Sequence, residues 1–252
     1  MGVSARQEEG TEGPPGIQGK VALITGGTGD LGRWVVGRFL EAGAEVHVPV
    51  FSSEEVDRLG AHLQGRLGDV HLHRDADLTD ADAVDSVFQG VRARGGRLPE
   101  ILLNLAGGFA MAPVEETDAT MWGRMWTLNA STAFLCSRAA FPGMRERGWG
   151  RIVNVSAFPA LELGSPGLVA YGAAKAAVLN LTRTLAQEGV GDGITVNAVL
   201  PSIIDTPGNR EAMPDEDRRD WLDPGEIADV LLFLSSPAAR IVNGSAITLT
   251  LG

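Results

Sequence analysis

The 252-residue chain has a single cysteine, Cys136, which excludes a disulfide framework. Its four histidines are scattered, and no Cys/His spacing of a zinc module is present. Basic residues are outnumbered: 21 Lys and Arg face 32 Asp and Glu, for a formal charge of -11. That balance excludes electrostatic capture of nucleic acid, which needs clustered cations. Only two of the cations are lysines (Lys20 and Lys175), and Tyr171 is the one tyrosine. No apolar run approaches the roughly 20 residues needed to span a bilayer. Residues 1–18, which include GTEGPPG, have neither the apolar core nor the basic start of a signal peptide. The expectation is a flexible tail over 1–18 and a cytoplasmic domain over 19–252, with no membrane or nucleic-acid partner.

What is present is a regular alternation. Short runs at Lys20–Thr25, Glu45–Phe51, Val70–His73 and Ile101–Asn104 read as strands, as do Arg151–Ser156, Thr195–Leu200 and Ala246–Leu251. Between them lie helical segments: Leu31–Ala42, Glu54–Leu63 after capping serines Ser52 and Ser53, Ala81–Arg94, Asp118–Arg147, Ala170–Glu188 and Pro224–Leu234. Strands alternating with helices imply βαβ units, so the fold class is α/β: a doubly wound parallel sheet, Rossmann-like, in a single domain. Asp205–Trp221 is polar and proline-bearing, and reads as a substrate lid.

The first strand runs into Thr25-Gly26-Gly27-Thr28-Gly29-Asp30-Leu31-Gly32, which opens the first helix. Glycines there let the backbone approach a pyrophosphate, and the helix N-terminus offers free N–H groups and a positive dipole end. An acid near the end of the second strand usually holds the ribose hydroxyls of NAD. Val50 and Phe51 occupy that place, so the choice between NAD and NADP stays open. Tyr171 stands four residues before Lys175, which puts both side chains on one helical face. A cation beside a phenol lowers its pKa, so Tyr171 is expected to exchange a proton near neutral pH.

These motifs, in this order, resemble the short-chain dehydrogenase/reductase family in its compact form. The resemblance covers everything after the tail and rests on seven stretches: TGGTGDLG, Asp77-Leu78, Asn104-Leu105-Ala106-Gly107, Asn129, GRIVNVS, Tyr171-x-x-x-Lys175 and NAVLPSIIDT. It implies an NAD- or NADP-dependent enzyme that interconverts a ketone and a secondary alcohol. Thr25, Gly26, Gly29, Leu31 and Gly32 would form the pyrophosphate loop. Asp77, Leu78, Asn104, Ala106 and Gly107 would line the adenosine side, and Pro201, Ile203 and Thr206 the nicotinamide carboxamide. Tyr171 would be the acid/base, Lys175 would bind the ribose and tune it, and Asn129 would hold a relay water. The family's pairing of central helices implies a homodimer or homotetramer, with Trp122 and Trp126 as packing or subunit contacts.

Three positions depart from the family pattern. Asp30 replaces a loop glycine and is expected to turn outward and cap the helix. The catalytic serine is missing: counted from the fifth strand its position is Ala157, and counted back from Tyr171 it is Phe158. Ser156, a substrate hydroxyl or an ordered water is left to take its place. Ser202 replaces a glycine after Pro201. The missing serine also keeps a rival reading open, a non-redox catalyst (dehydratase or cyclase) or a nucleotide-binding scaffold. His71 and His73 alternate on one strand without a third ligand nearby, so no metal is expected.

Overall fold

The computed structural model describes residues 16–161 and 164–251; the bulk of the expected N-terminal tail lies outside them. Among the described residues Ile17 is fully buried in the core. Seven strands follow: β1 (Val21–Thr25), β2 (Glu45–Pro49), β3 (Val70–His73), β4 (Ile101–Asn104), β5 (Gly150–Val155), β6 (Ile194–Pro201) and β7 (Ala246–Leu249). They form one parallel sheet in the order β3-β2-β1-β4-β5-β6-β7. The order reverses between β1 and β4, and in such sheets the crevice beyond the carboxyl ends at that point takes the ligand.

Helices cover both faces, as burial of both sides of a parallel sheet requires. On one face α1 (Gly32–Glu41) and α8 (Pro224–Leu234) press Val36, Phe39, Ile227 and Leu231 onto Ile24, Val46 and Leu103. On the other, α3 (Ala81–Gly95) and α5 (Thr132–Arg147) bury Val87, Phe88, Cys136 and Met144 against Leu23, Leu102 and Ile152. Burial pushes the Cys136 thiol up to about 12, so it acts as a small hydrophobe rather than a nucleophile. The remaining helices are α2 (Ser53–His62), α4 (Ala119–Trp126), α6 (Val169–Gly189) and α7 (Pro207–Ala212), the last inside the segment read as a lid. Among the described residues no helix is long and apolar enough to cross a membrane.

One element differs from its expected form. The segment Asp118–Arg147 is not one α-helix: a π-helical turn, Thr127–Ser131, separates α4 from α5. The cause sits at its centre. Asn129 Nδ2 donates to the Met125 carbonyl at 2.9 Å, taking an acceptor that the helical ladder would otherwise use. Such π-bulges cluster at functional sites.

Candidate active site

The glycine loop is shaped by close backbone approaches. Gly26 has φ +64°, and a Cβ there would lie 2.9 Å from the Ala106 nitrogen. A Cβ on Gly32 would lie 2.0 Å from the Gly26 carbonyl oxygen and 2.7 Å from Gly27 Cα. The loop therefore curls back on itself as α1 begins, and no side chain caps that N-terminus. Asp30 does not cap it, contrary to expectation: its Oδ1 accepts from Arg33 Nη1 at 2.7 Å. The cation supplies a stronger partner than the helix amides and draws the carboxylate off the loop.

A cavity of about 460 Å³ opens at the switch point. Among the expected binding residues, Gly26, Gly29, Asp77, Leu78, Ala106 and Gly107 line it. Thr28, Pro49, Glu55, Leu128 and Thr132 also line it, none of them among the expected binding residues, as does Phe51, which stands where NAD binders usually carry an acid. The signal that points to Pro49 is positional, since it ends β2 beside the crevice, whereas Thr28 belongs to the glycine loop after β1. Asp77 is held by its own turn, its Oδ1 accepting from the Thr79 amide at 2.9 Å and the Thr79 hydroxyl at 2.7 Å.

Two residues expected to contact the cofactor bond through their side chains within the fold. The Thr25 hydroxyl is buried; it donates to the Leu103 carbonyl and accepts from the amides of Leu105 and Ala106, both at 3.1 Å. Thr25 therefore pins the β4 loop against β1. Asn104 turns its side chain into the core, donating to Ser137 Oγ and to Asn154 Oδ1 at 2.8 Å. Leu31 lies at the start of α1, partly buried against the core. Pro201 ends β6, Ile203 is exposed, and Thr206 caps α7 by accepting from the Asn209 amide at 3.2 Å. Ile203 lies on a second cavity, about 280 Å³, with Phe158, Ser202, Asp220, Trp221 and Leu251.

Beyond the Gly107 side of the first cavity, Asn129, Tyr171 and Lys175 come together. A Cβ on Gly107 would lie 2.6 Å from Asn129 Oδ1 and 3.4 Å from Lys175 Nζ, so the backbone there runs close against both side chains. Lys175 is buried, donates to the Val155 carbonyl at 2.8 Å, and lies 5.8 Å from the Tyr171 ring centroid. Phe109 meets the Tyr171 ring edge-on at 5.0 Å. Burial pushes the tyrosine up to about 12 and the lysine down to about 8. Desolvation is the cause for both groups, so the phenol is raised rather than lowered as the neighbouring lysine led one to expect. Asn129 is also more tied than expected: besides Met125 it donates to the Gly108 carbonyl at 3.0 Å and accepts from the Gly108 amide at 3.3 Å. Its amide fixes the loop over the site and has no donor left for a water.

Ser156 does not replace the missing serine as a donor. It is buried and its hydroxyl donates to the Lys175 carbonyl at 2.9 Å. Ala157 follows it in extended backbone, also buried, and brings no hydroxyl.

A parallel doubly wound sheet, a glycine-lined crevice at its switch point and a buried lysine beside a phenol define an NAD(P)-dependent oxidoreductase. The chain belongs to the short chain dehydrogenase family, whose pattern it matches over residues 20–217. It is 36% identical over 248 residues to galactitol 2-dehydrogenase of Rhizobium johnstonii, covering 94% of this chain and 95% of that one. It is 34% identical to meso-2,3-butanediol dehydrogenase of Serratia marcescens, covering 90% and 92%. Among solved structures, levodione reductase superposes with a TM-score of 0.84 at 28% identity, covering 92% of this chain and 96% of that one. ElxO with NADP bound gives a TM-score of 0.84 at 26% identity, covering 92% and 97%.

Proposed function

We propose that the chain interconverts a ketone and a secondary alcohol with Tyr171 as its proton donor and acceptor. The observation that carries this is the convergence of Tyr171 with buried Lys175 beside the Gly107 backbone. The glycine loop fits a dinucleotide: its backbone leaves no room for a side chain at Gly26 or Gly32, and no side chain caps the α1 N-terminus, where a pyrophosphate would sit. Gly26, Gly29 and Gly32 would hold that group, Asp77, Leu78 and Ala106 the adenosine, Lys175 the second ribose, and Pro201, Ile203 and Thr206 the carboxamide end. A bound nicotinamide supplies the hydride donor or acceptor. In the reductive direction the Tyr171 hydroxyl gives its proton to the substrate oxygen as charge develops there. The ammonium of Lys175 stabilises the phenolate left behind. In the oxidative direction the Tyr171 phenol first gives its proton to solvent, and its oxygen then takes the alcohol proton.

The diols and polyols named for the relatives make neutral secondary alcohols the first substrates to try. Trp122, Trp126 and Phe134, each 43–47% exposed along α4 and α5, support association of this chain with itself. The test is incubation with 4-deuterated NADH or NADPH and a panel of ketones. Deuterium is expected at the carbinol carbon of the product. Tight cofactor binding with no transfer to any ketone would favour the non-redox or scaffold reading that the missing serine raises.

The serine position makes a second prediction. Ala157→Ser places a hydroxyl at the serine position as counted from the fifth strand, and a donor of that kind is worth about 10²–10³ in rate. Ketone reduction should be preserved or raised, read as kcat/KM with the best ketone of the panel. A sharp loss would show that the substrate itself occupies the space beside Ala157.

A further inference from the structure

The histidine pair that the sequence leaves without a third ligand gains partners across the sheet. β2 and β3 are parallel with His47 opposite His71 and Pro49 opposite His73. Side chains two apart on a strand share a face, so Glu45, His47, His71 and His73 all project to one side. That side lies under α3, where a Cβ on Gly90 would approach His73 Nδ1 to 2.9 Å and one on Gly95 would approach Glu45 Oε1 to 3.5 Å. Glu45, His47 and His71 each bring a ligand atom within 4.8 Å of the others.

We propose that Glu45, His47 and His71 form a binding site for a divalent cation of the zinc class. Two neutral imidazoles and a carboxylate are a nitrogen-and-oxygen set suited to Zn²⁺, with a fourth position for water. A tetrahedral zinc with bonds near 2.0–2.1 Å needs ligand atoms about 3.3 Å apart. His47 Nε2 and Glu45 Oε1 already stand at 3.1 Å. The His71 ring lies 4.7 Å from that of His47, is half-buried, and makes no hydrogen bond among the described residues, so its nitrogens are available. Rotation of that ring closes the third side.

The surroundings orient these groups as outer partners orient metal ligands. His47 Nδ1 lies 2.9 Å from His73 Nε2. If His47 Nδ1 donates to His73, the lone pair of His47 Nε2 is left facing Glu45 and the ion. The other carboxylate oxygen of Glu45, Oε2, accepts from Arg97 Nη2 at 3.3 Å, which turns Oε1 inward. Arg97 is shared with Glu100, which leaves part of Glu45's negative charge for the ion. His47 is fully buried, whereas Glu45 and His71 are half-buried, so the ion enters from their side. An ion there ties the edge strand β3 to β2, next to the loop that carries Asp77.

The test is calorimetric titration of the full chain, without a histidine tag, with zinc chloride. One zinc per chain is expected, with a melting temperature that rises with zinc concentration. His71→Ala and Glu45→Gln should each weaken binding at least tenfold. His62→Ala, on α2 and packed against Trp34, should leave it unchanged. Circular dichroism of each variant keeps loss of fold separate from loss of a ligand. Zinc that binds equally to the parent, His71→Ala and Glu45→Gln, or does not bind the parent, overturns the proposal.

Discussion

Tyr171→Phe should lower kcat for ketone reduction by about 10²–10⁴-fold, the range supplied by a positioned general acid. The substitution removes one hydroxyl and little else. The ring keeps its edge contact with Phe109 at 5.0 Å and its place 5.8 Å from Lys175 Nζ. Lys175 keeps its bond to the Val155 carbonyl, and Ser156 keeps its bond to the Lys175 carbonyl. Melting temperature and cofactor affinity should therefore stay close to those of the parent, which separates loss of a proton donor from loss of a site. The measurement is single-turnover reduction alongside cofactor titration by nicotinamide fluorescence. Retention of a tenth or more of the parental rate would show that the proton comes from another group.

Gly32→Ala is expected to abolish measurable cofactor binding. The new Cβ would stand 2.0 Å from the Gly26 carbonyl oxygen and 2.7 Å from Gly27 Cα. Neither atom belongs to a flexible side chain that can swing aside. Gly26 cannot retreat either, because its own position is set against the Ala106 backbone, at 2.9 Å from the site of a Cβ. The loop must open, and overpacking of this kind costs about 1–3 kcal/mol before any ligand is considered. A fall in melting temperature should accompany at least a hundredfold loss of affinity for NADH and NADPH. Gly123→Ala, where a Cβ meets nothing within 4 Å, is the control and should bind as the parent does. Parental affinity in Gly32→Ala would mean that the dinucleotide does not lie along this loop.

Much of the fold is legible because the strands are buried on both faces and read as near-continuous apolar runs. VALIT, ILLN and the GRIVNV run are all close to their expected bounds, and Pro224–Leu234 agrees at both ends. The glycine loop is legible for a related reason, since a residue type is nearly obligatory where backbone meets backbone. Side-chain commitments are not legible in this way. Thr25, Asn104 and Ser156 look like ligand groups in a motif, yet each donates a hydrogen bond to a distant stretch of chain. Asp30 likewise pairs with Arg33 although a free helix end lies beside it.

The sequence by itself determined the alternation of strands and helices, the loop that admits a dinucleotide, and the pairing of a lone tyrosine with a rare lysine. All three are encoded locally, in hydrophobic period, backbone freedom and the four-residue helical repeat. The tertiary structure alone decided what those groups can do. Burial, which sums contributions from the whole fold, pushes the Tyr171 phenol up to about 12 and brings Lys175 down to about 8. Strand register, which joins residues far apart in the chain, sets His47 opposite His71. Neither desolvation nor register exists until the sheet has formed.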